Sequence, residues 1–307
     1  MTRPRRHIEG QSVMLTRRCR DRYFFLRPGK DVNSITRYEF SKAANRYGLE
    51  IHGLMVMSNH PHIIATDYRA DRSDFMRDSM SGIAKNGNKL HGRSGSFWDE
   101  KRYNDVILLD QDALEEKLLY VWLNPVEAGL VKRAEDWPGY KILPDDWGKK
   151  VKIPRSGVHN ERNPEYIEFV AQPPPGYEEM TLEEVKAHFN ALLKEAENEI
   201  GARFRKIGKK FMGIKKIRKI DPFEQPKKEE EKTELTPMFA SKNRQNMMRA
   251  IEIYKTFIDE YETKRQRWQL GKKVEFPCGT IWLKKHARVK CQESGGDEPG
   301  VFIKKSE

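Results

Sequence analysis

Long hydrophobic runs are missing from this sequence. Apolar residues make up 37% of the chain and the mean hydropathy is -0.83, so no stretch approaches the ~20 apolar residues that a membrane-spanning helix needs. The basic start of the chain, residues 1–7, is followed by no apolar segment of the kind found in a secretion signal. The sequence therefore predicts a protein that is not exported and has no membrane partner.

Cysteine is scarce. Cys19, Cys278 and Cys291 are odd in number and far apart in the sequence, a pattern that fits neither a disulfide framework nor a zinc knuckle. A reducing compartment, the cytoplasm, is the simplest expectation.

Acidic residues are too few to balance the basic ones. The chain has 58 Lys and Arg against 46 Asp and Glu, which gives a formal net charge of +12. Such an excess favours a polyanionic partner, because each phosphate that a cation neutralises releases a condensed counterion. Nucleic acid is the leading candidate, and a basic protein without such a partner is the alternative.

The first half of the chain alternates between strand and helix patterns. The periodicities and breakers predict, in order, strands at 12–16 and 23–26, a helix from Asp31 or Asn33 to Tyr47, strands at 50–57 and 62–66, a helix at 73–90, a strand at 106–109 and a helix from Asp110 to Asn124, ended by Pro125. This order is typical of an α+β fold.

Two histidines lie one residue apart inside an apolar run. In a strand, His60 and His62 would point to the same face, and two imidazoles on one face can share a metal ion. The alternative is a pair of hydrogen-bonded core histidines. Pro61 between them cannot donate to a sheet, which predicts a sheet edge or a bulge at this point.

Tyr120 and Asn124 are four residues apart on the last predicted helix of this half. They therefore share one face, and Pro125 disfavours helix at Asn124, which could free its side chain to turn toward a ligand. The alternatives are a tyrosine that only packs and an asparagine that caps the helix.

Several motifs together resemble a known family. His60-Pro61-His62 resembles the His-hydrophobe-His motif of the HUH nucleases, and residues 120–131 are similar to the Tyr-x-x-x-Asn-Pro-Val-x-x-Gly stretch of the IS200-like, single-tyrosine transposases. The stretch at 54–62 and Trp137-Pro138 match the same pattern in order, closest to the REP-associated branch (RAYT). The resemblance covers about residues 8–143.

The resemblance implies a fold and a chemistry. The fold would be a ferredoxin-like HUH nuclease domain with a central antiparallel sheet. Tyr120 would attack a DNA phosphodiester and form a 5'-phosphotyrosyl link. His60, His62 and Asn124 would hold Mg2+ or Mn2+, which polarises the phosphate. The protein would then be a cytoplasmic bacterial transposase, associated with the nucleoid when bound to DNA.

The implied substrate is single-stranded DNA folded into a hairpin, handled by a monomer or a homodimer. A loop at 91–103 interleaves cations with rings, as binding of a single strand requires, although Phe97 and Trp98 could equally anchor the loop in the core. Candidate phosphate contacts are Arg17, Arg18, Arg20, Arg22, Arg93, Lys101 and Arg102, and candidate stacking residues are Trp98 and Tyr103.

The second half differs in character. We expect a transposase domain at 1–148 and a mainly helical basic extension at 149–307, with a linker near 221–237 and a flexible tail after 292. The patterns predict helices at about 181–200 and 241–268 and a hairpin at 274–289. The stretch 181–220 is compatible with a helix-turn-helix, and no catalytic set is visible in this half.

Two other functions remain open from the sequence. A nucleic-acid-binding regulator could retain the same fold without chemistry. A zinc hydrolase is the weaker alternative, because no further ligand or general base stands at motif spacing.

Overall fold

The computed structural model describes residues 4–101, 103–227, 237–294 and 298–301. The first half contains the elements β1 (Gln11–Thr16), α1 (Lys30–Tyr47), β2 (Leu49–Val56), β3 (Pro61–Asp67), α2 (Arg72–Leu90), β4 (Asn104–Leu108), α3 (Gln111–Glu127) and β5 (Lys141–Ile142). The second half contains β6 (Lys150–Pro154), β7 (Tyr166–Val170), α4 (Leu182–Lys206), α5 (Ile214–Ile217), β8 (Phe239–Ala240), α6 (Arg244–Gln269), β9 (Glu275–Phe276), α7 (Ile281–Ala287) and β10 (Lys290–Cys291).

A six-stranded sheet forms the centre of the fold, with the strand order β5-β2-β3-β1-β4-β8. β1 lies antiparallel to both β3 and β4, β2 is antiparallel to β3, and only β8 joins in parallel, beside β4. The order βαββαβ with β1 and β3 in the middle is the split β-α-β arrangement of ferredoxin-like folds. The predicted α+β, ferredoxin-like fold is therefore confirmed.

The strand that carries His62, and that His60 directly precedes, is an interior strand. β3 pairs with β2 on one side and β1 on the other, with His62 opposite both Met55 and Thr16. The prediction of a sheet edge or a bulge at Pro61 is therefore wrong, since the register shift between β2 and β3 lies at Ile51 and Gly53. Pro61 is tolerated because it is the first residue of the strand, where it pairs with Val56.

Residues 23–26 do not form the expected strand. They bend back on themselves, with Arg27 N donating to Phe24 O at 2.7 Å and Leu26 N donating to Ser58 O at 2.9 Å. Two consecutive left-handed residues before them, Asp21 and Arg22 with φ of 50° and 62°, turn the chain out of an extended path.

α3 continues through Pro125, which corrects the predicted end of this helix at Asn124. Proline removes a single helical N–H, and the next turn still closes, with Ala128 N donating to Asn124 O at 3.0 Å. Gly129 then ends the helix with a φ of 73°. Asn124 therefore has helical neighbours on both sides.

α3 is fixed closely on the sheet. Trp122 is fully buried and its indole N–H donates to Ile142 O at 2.9 Å. A Cβ on Gly53 of β2 would lie 2.7 Å from Leu118 Cδ2, so a larger residue here would push the Leu118 side chain aside. This packing sets the position of Tyr120 on the exposed side of the same helix.

Residues on both sides of the predicted boundary at 148 share one core. Phe189 of α4 packs on Trp122 and Trp147, with ring centroids 5.8 Å and 5.3 Å apart, and β8 extends the central sheet. The domain division itself stays a prediction. Residues 228–236 of the predicted linker lie outside the described residues. Residues 295–297 and 302–307 of the predicted tail lie outside them as well. Val301 of the tail forms a β-bridge with Gln11.

The extension differs from its sequence pattern in two places. Thr181 caps α4 through the expected capping box, but α4 runs on to Lys206 and α5 is a single turn, so no helix-turn-helix forms. β9 and β10 are parallel strands separated by α7, which corrects the predicted hairpin. None of the helices built from the described residues combines the length and apolar composition needed to cross a bilayer.

A buried charge network lies beneath the start of α2. Arg72 is 1% exposed, and its guanidinium donates to Asp105 Oδ2 at 3.0 Å and to Gln11 Oε1 at 3.0 Å, with Asp67 Oδ2 3.5 Å away. Burial opposes the charge on Asp105, but Arg72 and then His7 outweigh it and hold its pKa below the ordinary value. Burial raises the pKa of Asp67 in spite of Arg72. Arg72 is thus the main cation beside both carboxylates.

We expect Arg72→Met to lower the free energy of unfolding by about 3–5 kcal/mol, because two buried carboxylates would lose their partner. Arg77→Met on the same helix is the matched control. Its side chain is 55% exposed beside Asp74 and Asp78, so we expect a loss below about 1 kcal/mol. Urea unfolding measures both, and equal losses would contradict the assignment of Arg72 as the central cation.

Candidate active site

A groove of about 1370 Å³ runs beside β1 and β4, between α3 and α6. His60, His62 and Tyr120 all border it. The His60 and His62 ring centroids are 4.5 Å apart, and the His62 ring stands nearly perpendicular to the Tyr120 ring at 5.6 Å. The structure thus brings together three residues that the sequence places up to sixty positions apart.

His62 differs from an ordinary core histidine. His62 is 5% exposed, yet neither ring nitrogen has a hydrogen-bond partner among the described residues. His52 on the neighbouring strand β2 shows the contrast, because its ring nitrogens contact Gln172 O at 3.0 Å and Thr66 Oγ1 at 2.8 Å. A buried polar group without a partner is costly, so the unpartnered ring nitrogens make His62 a candidate ligand.

Both imidazoles are held in the neutral form. Burial lowers the pKa of His60 to about 4, and the nearby Arg18 adds to the shift. Burial, His60 and Arg18 together hold the pKa of His62 well below its ordinary value. Neutral imidazole has the free lone pair that a metal ion requires.

The donor set fits a divalent metal. His60 Nδ1 lies 2.6 Å from Asn59 Oδ1, and a donated proton there would leave Nε2 as the lone pair, the arrangement usual for metal-binding histidines. Within the described residues no three His, Cys, Asp or Glu side chains cluster around one point. A third protein ligand would therefore be of another type, and an amide oxygen such as that of Asn124 suits Mg2+ or Mn2+.

Asn124 lies one turn beyond Tyr120 on α3. Its amide nitrogen donates to Tyr120 O at 3.3 Å, and Asn124 is not among the residues that line the groove. Its role as a metal ligand stays a prediction.

Tyr120 is an exposed aromatic residue on α3. The residue is 48% exposed, and Lys117, one turn earlier, places its ammonium 5.7 Å from the ring centroid. Trp122 and Val121 on the opposite side of α3 are fully buried. Packing therefore accounts for those neighbours but not for Tyr120.

The predicted DNA contacts separate into two groups. Arg17, Arg18, Lys101 and Tyr103 line the groove, whereas Arg20, Arg22 and Arg93 do not. Arg102 lies outside the described residues. Tyr103 is partly covered, because the Arg5 guanidinium lies 3.6 Å above its ring centroid.

Trp98 and Arg93 hold their loop in place. Trp98 is 5% exposed and its indole N–H donates to Met80 O at 2.8 Å, so the structure favours the alternative in which it anchors the loop, and its ring is not presented to a base. Arg93 donates to Asn88 Oδ1 at 2.6 Å and stacks over Phe25. Both side chains are committed to local structure.

The far wall of the groove comes from the extension, which the sequence did not indicate. Its residues share an apolar character and an aromatic component: Met238, Phe239, Met247, Ala250, Ile253 and Tyr254. Lys242 reaches Glu116 of α3 at 3.6 Å, and Asn246 donates to Asp110 at 3.1 Å, so the wall is joined to α3. The helical spacing of Met247 and Tyr254 was visible in the sequence, but nothing there showed which surface they would face.

The sequence was compared with protein families and with curated proteins. No family model matches it. A Haemophilus influenzae protein described as a REP-associated tyrosine transposase is 24% identical over 131 residues, which cover 36% of this chain and 74% of that protein.

Two solved structures are also similar. One is a REP-associated tyrosine transposase bound to a REP hairpin, with a TM-score of 0.40 and 23% identity over 48% of this chain and 85% of that one. The other is a transposase from Deinococcus radiodurans, with a TM-score of 0.29 and 16% identity over 39% and 95% of the two chains. The chain is thus similar to a curated REP-associated tyrosine transposase, which agrees with the family that its motifs resemble.

Proposed function

We propose that this protein cleaves and rejoins single-stranded hairpin DNA through a covalent link to Tyr120. The observation that supports the proposal is the buried, unpartnered imidazole of His62 beside an exposed tyrosine in a cation-lined groove. A purely structural site would be expected to satisfy His62 as it satisfies His52. The link to REP-type hairpins rests on the relatives.

The residues in place fit a divalent ion. His60 and His62 would hold Mg2+ or Mn2+, with Asn124 as the predicted third ligand, and the bound ion would supply Lewis-acid polarisation of the scissile phosphate. The chain's contribution is to keep both imidazoles neutral and the His60 ring oriented through Asn59.

The reaction then follows from Tyr120. Its phenolic oxygen forms a bond to phosphorus, the bond from phosphorus to the 3'-oxygen breaks, and the proton lost by the phenol is balanced by the one that the departing 3'-oxygen gains. The 5'-phosphotyrosyl link keeps the energy of the broken bond. A second 3'-hydroxyl can therefore attack the same phosphorus, release the tyrosine and join two strands without ATP.

The groove suits an unpaired strand. Arg17, Arg18 and Lys101 provide charge for the backbone, and the apolar wall of the extension, with Phe239 and Tyr254, provides surface for bases. A duplex would not need such a wall.

We expect the double variant Lys101→Gln and Lys117→Gln to weaken binding of an unstructured single strand. The slope of log affinity against log salt should fall by about 1.4, since each phosphate contact on a single strand contributes about 0.7. Fluorescence anisotropy in a salt series measures it. The matched double variant Lys85→Gln and Lys150→Gln, outside the groove lining, should keep the wild-type slope, and an equal fall in both would show a general charge effect.

The test of the function is a denaturation-resistant protein–DNA adduct. Labelled hairpins with a single-stranded flank are incubated with the full chain and Mn2+ or Mg2+, then separated under denaturing conditions. An adduct that requires the metal supports the proposal. Tight binding of such hairpins without an adduct would overturn it in favour of a non-catalytic regulator.

A further inference from the structure

A second basic surface lies outside the groove. Residues 203–219, here called the basic segment, span the end of α4, α5 and the connection between them. They contain no acidic residue and nine cations: Arg203, Arg205, Lys206, Lys209, Lys210, Lys215, Lys216, Arg218 and Lys219. This is a strong local charge even in a chain with a net charge of +12.

The basic segment turns its cations outward. All nine are exposed, whereas Phe204 and Ile217 between them are 3% and 0% exposed. Arg203 contacts Glu127, and in the described part of the chain none of the other eight forms an ion pair within 4 Å. Like charges held this close repel one another, so an anionic partner would relieve a cost that the fold leaves in place.

The basic segment is hydrogen-bonded to the residues that follow α3, the helix that carries Tyr120. Met212 N donates to Gly129 O and Gly213 N donates to Leu130 O, both at 2.9 Å. A Cβ on Gly129 would lie 3.0 Å from Lys209 Cε, so the lysine stem covers this glycine closely. The cations are therefore held in a defined position relative to α3.

The other end of the segment reaches the loop beside the histidines. Arg27 donates to Arg218 O at 2.7 Å and to Ile220 O at 3.2 Å. Close to Arg27 in sequence, Leu26 N donates to Ser58 O and Asn59 Nδ2 donates to Arg22 O. The basic segment thus runs from the end of α3 toward the turn that carries His60.

The composition of this surface favours a duplex. Single-stranded DNA is bound by cations together with exposed rings on which bases stack. Here Phe204 is buried and Phe211 stacks on it at 5.1 Å, while the exposed apolar residues, Ile207, Met212 and Ile214, are all non-aromatic. Cations without stacking surfaces contact the phosphate backbone and leave base pairs intact.

We propose that the basic segment binds the phosphate backbone of a duplex stem whose single-stranded flank occupies the groove at Tyr120. The inference rests on the proposed function for the position of the flank. It assigns to the extension the task of holding the stem while the site at Tyr120 acts on the strand beside it.

The test compares two triple variants of the full chain. Lys215→Gln, Lys216→Gln and Lys219→Gln neutralise the basic segment, and Lys272→Gln, Lys273→Gln and Lys290→Gln remove the same charge from exposed positions elsewhere. The probes are a hairpin with a flank and an unstructured strand of equal length and charge. Anisotropy in a salt series gives affinity and slope for each pair.

The basic-segment variant is expected to bind the hairpin on the order of 10- to 100-fold more weakly, with a salt slope lower by about 2.7, or 0.9 per lost duplex contact. Its binding of the unstructured strand should equal that of wild type, which also shows that it is folded. Unchanged hairpin binding, or an equal loss on both probes or in both variants, would overturn the duplex assignment. Failure of the proposed function would give a different result. The wild type would then form no adduct with any probe, while the basic-segment variant would still bind the hairpin more weakly than wild type does.

Discussion

Tyr120→Phe is expected to abolish the covalent adduct with hairpin DNA. The substitution removes one oxygen, and loss of a nucleophile typically lowers turnover by at least about 10⁴-fold. The hydroxyl forms no hydrogen bond with the described residues and the side chain is 48% exposed, so the fold should lose little stability. Denaturing electrophoresis of labelled DNA after incubation with metal measures the adduct directly.

Tyr166→Phe provides the matched control. Tyr166 is 42% exposed on β7 and does not line the groove, so its variant should form the adduct at the wild-type rate. Both variants should bind the hairpin as wild type does, because neither loses a cation. An adduct that persists in Tyr120→Phe would move the nucleophile to another residue, whereas loss in both variants would indicate a nonspecific effect on the protein.

The local pattern of the sequence was sufficient to predict most helices and strands of the ferredoxin-like half. Helix α1 ends at Tyr47, as predicted, and Gly48 after it adopts the left-handed conformation with a φ of 66°. Asp110 caps α3 by accepting from Ala113 N at 2.9 Å. Such signals act over one helical turn and depend little on the rest of the chain, which is why they can be recognised without a structure.

Features that depend on distant contacts were not predictable in this way. Pro125 was expected to end α3, but burial of Trp122 and Val126 on the sheet holds the helix together across the missing N–H. Trp98 looked equally suited to stacking on a base and to anchoring its loop, and only the contact with Met80 decides between them. In each case tertiary packing outweighed a local preference.

The groove shows the same limit at the level of the site. The motifs identified one side of the groove, with His60, His62 and Tyr120, because these residues stand in short sequence patterns that can be recognised. The opposite wall comes from β8 and α6, more than a hundred residues further along the chain. Its position depends on a parallel pairing of Phe239 and Ala240 with β4, and two-residue strands leave almost no periodic signal.

His62→Ala and His52→Ala are expected to have opposite consequences, which separates a ligand histidine from a structural one. His52→Ala would remove the contact of Gln172 O with the ring and leave Thr66 Oγ1 with Ser12 Oγ as its side-chain partner, at a cost of about 1–3 kcal/mol in unfolding free energy. His62 makes no hydrogen bond with the described residues, so its loss should cost less stability than that of His52. His62→Ala should instead remove metal binding.

Titration calorimetry with Mn2+ measures this without any catalysis. We expect His62→Ala, and likewise His60→Ala, to lower Mn2+ affinity by at least about 100-fold, since loss of a mere outer partner of a metal site already costs about 10–100-fold. His52→Ala should bind Mn2+ as wild type does at a temperature where it remains folded. The adduct should disappear in both ligand variants while hairpin binding persists, because the cations of the groove and the basic segment are untouched. Wild-type Mn2+ affinity in His62→Ala would contradict the assignment of the unpartnered imidazole to a metal, and would leave its burial without a ligand to compensate it.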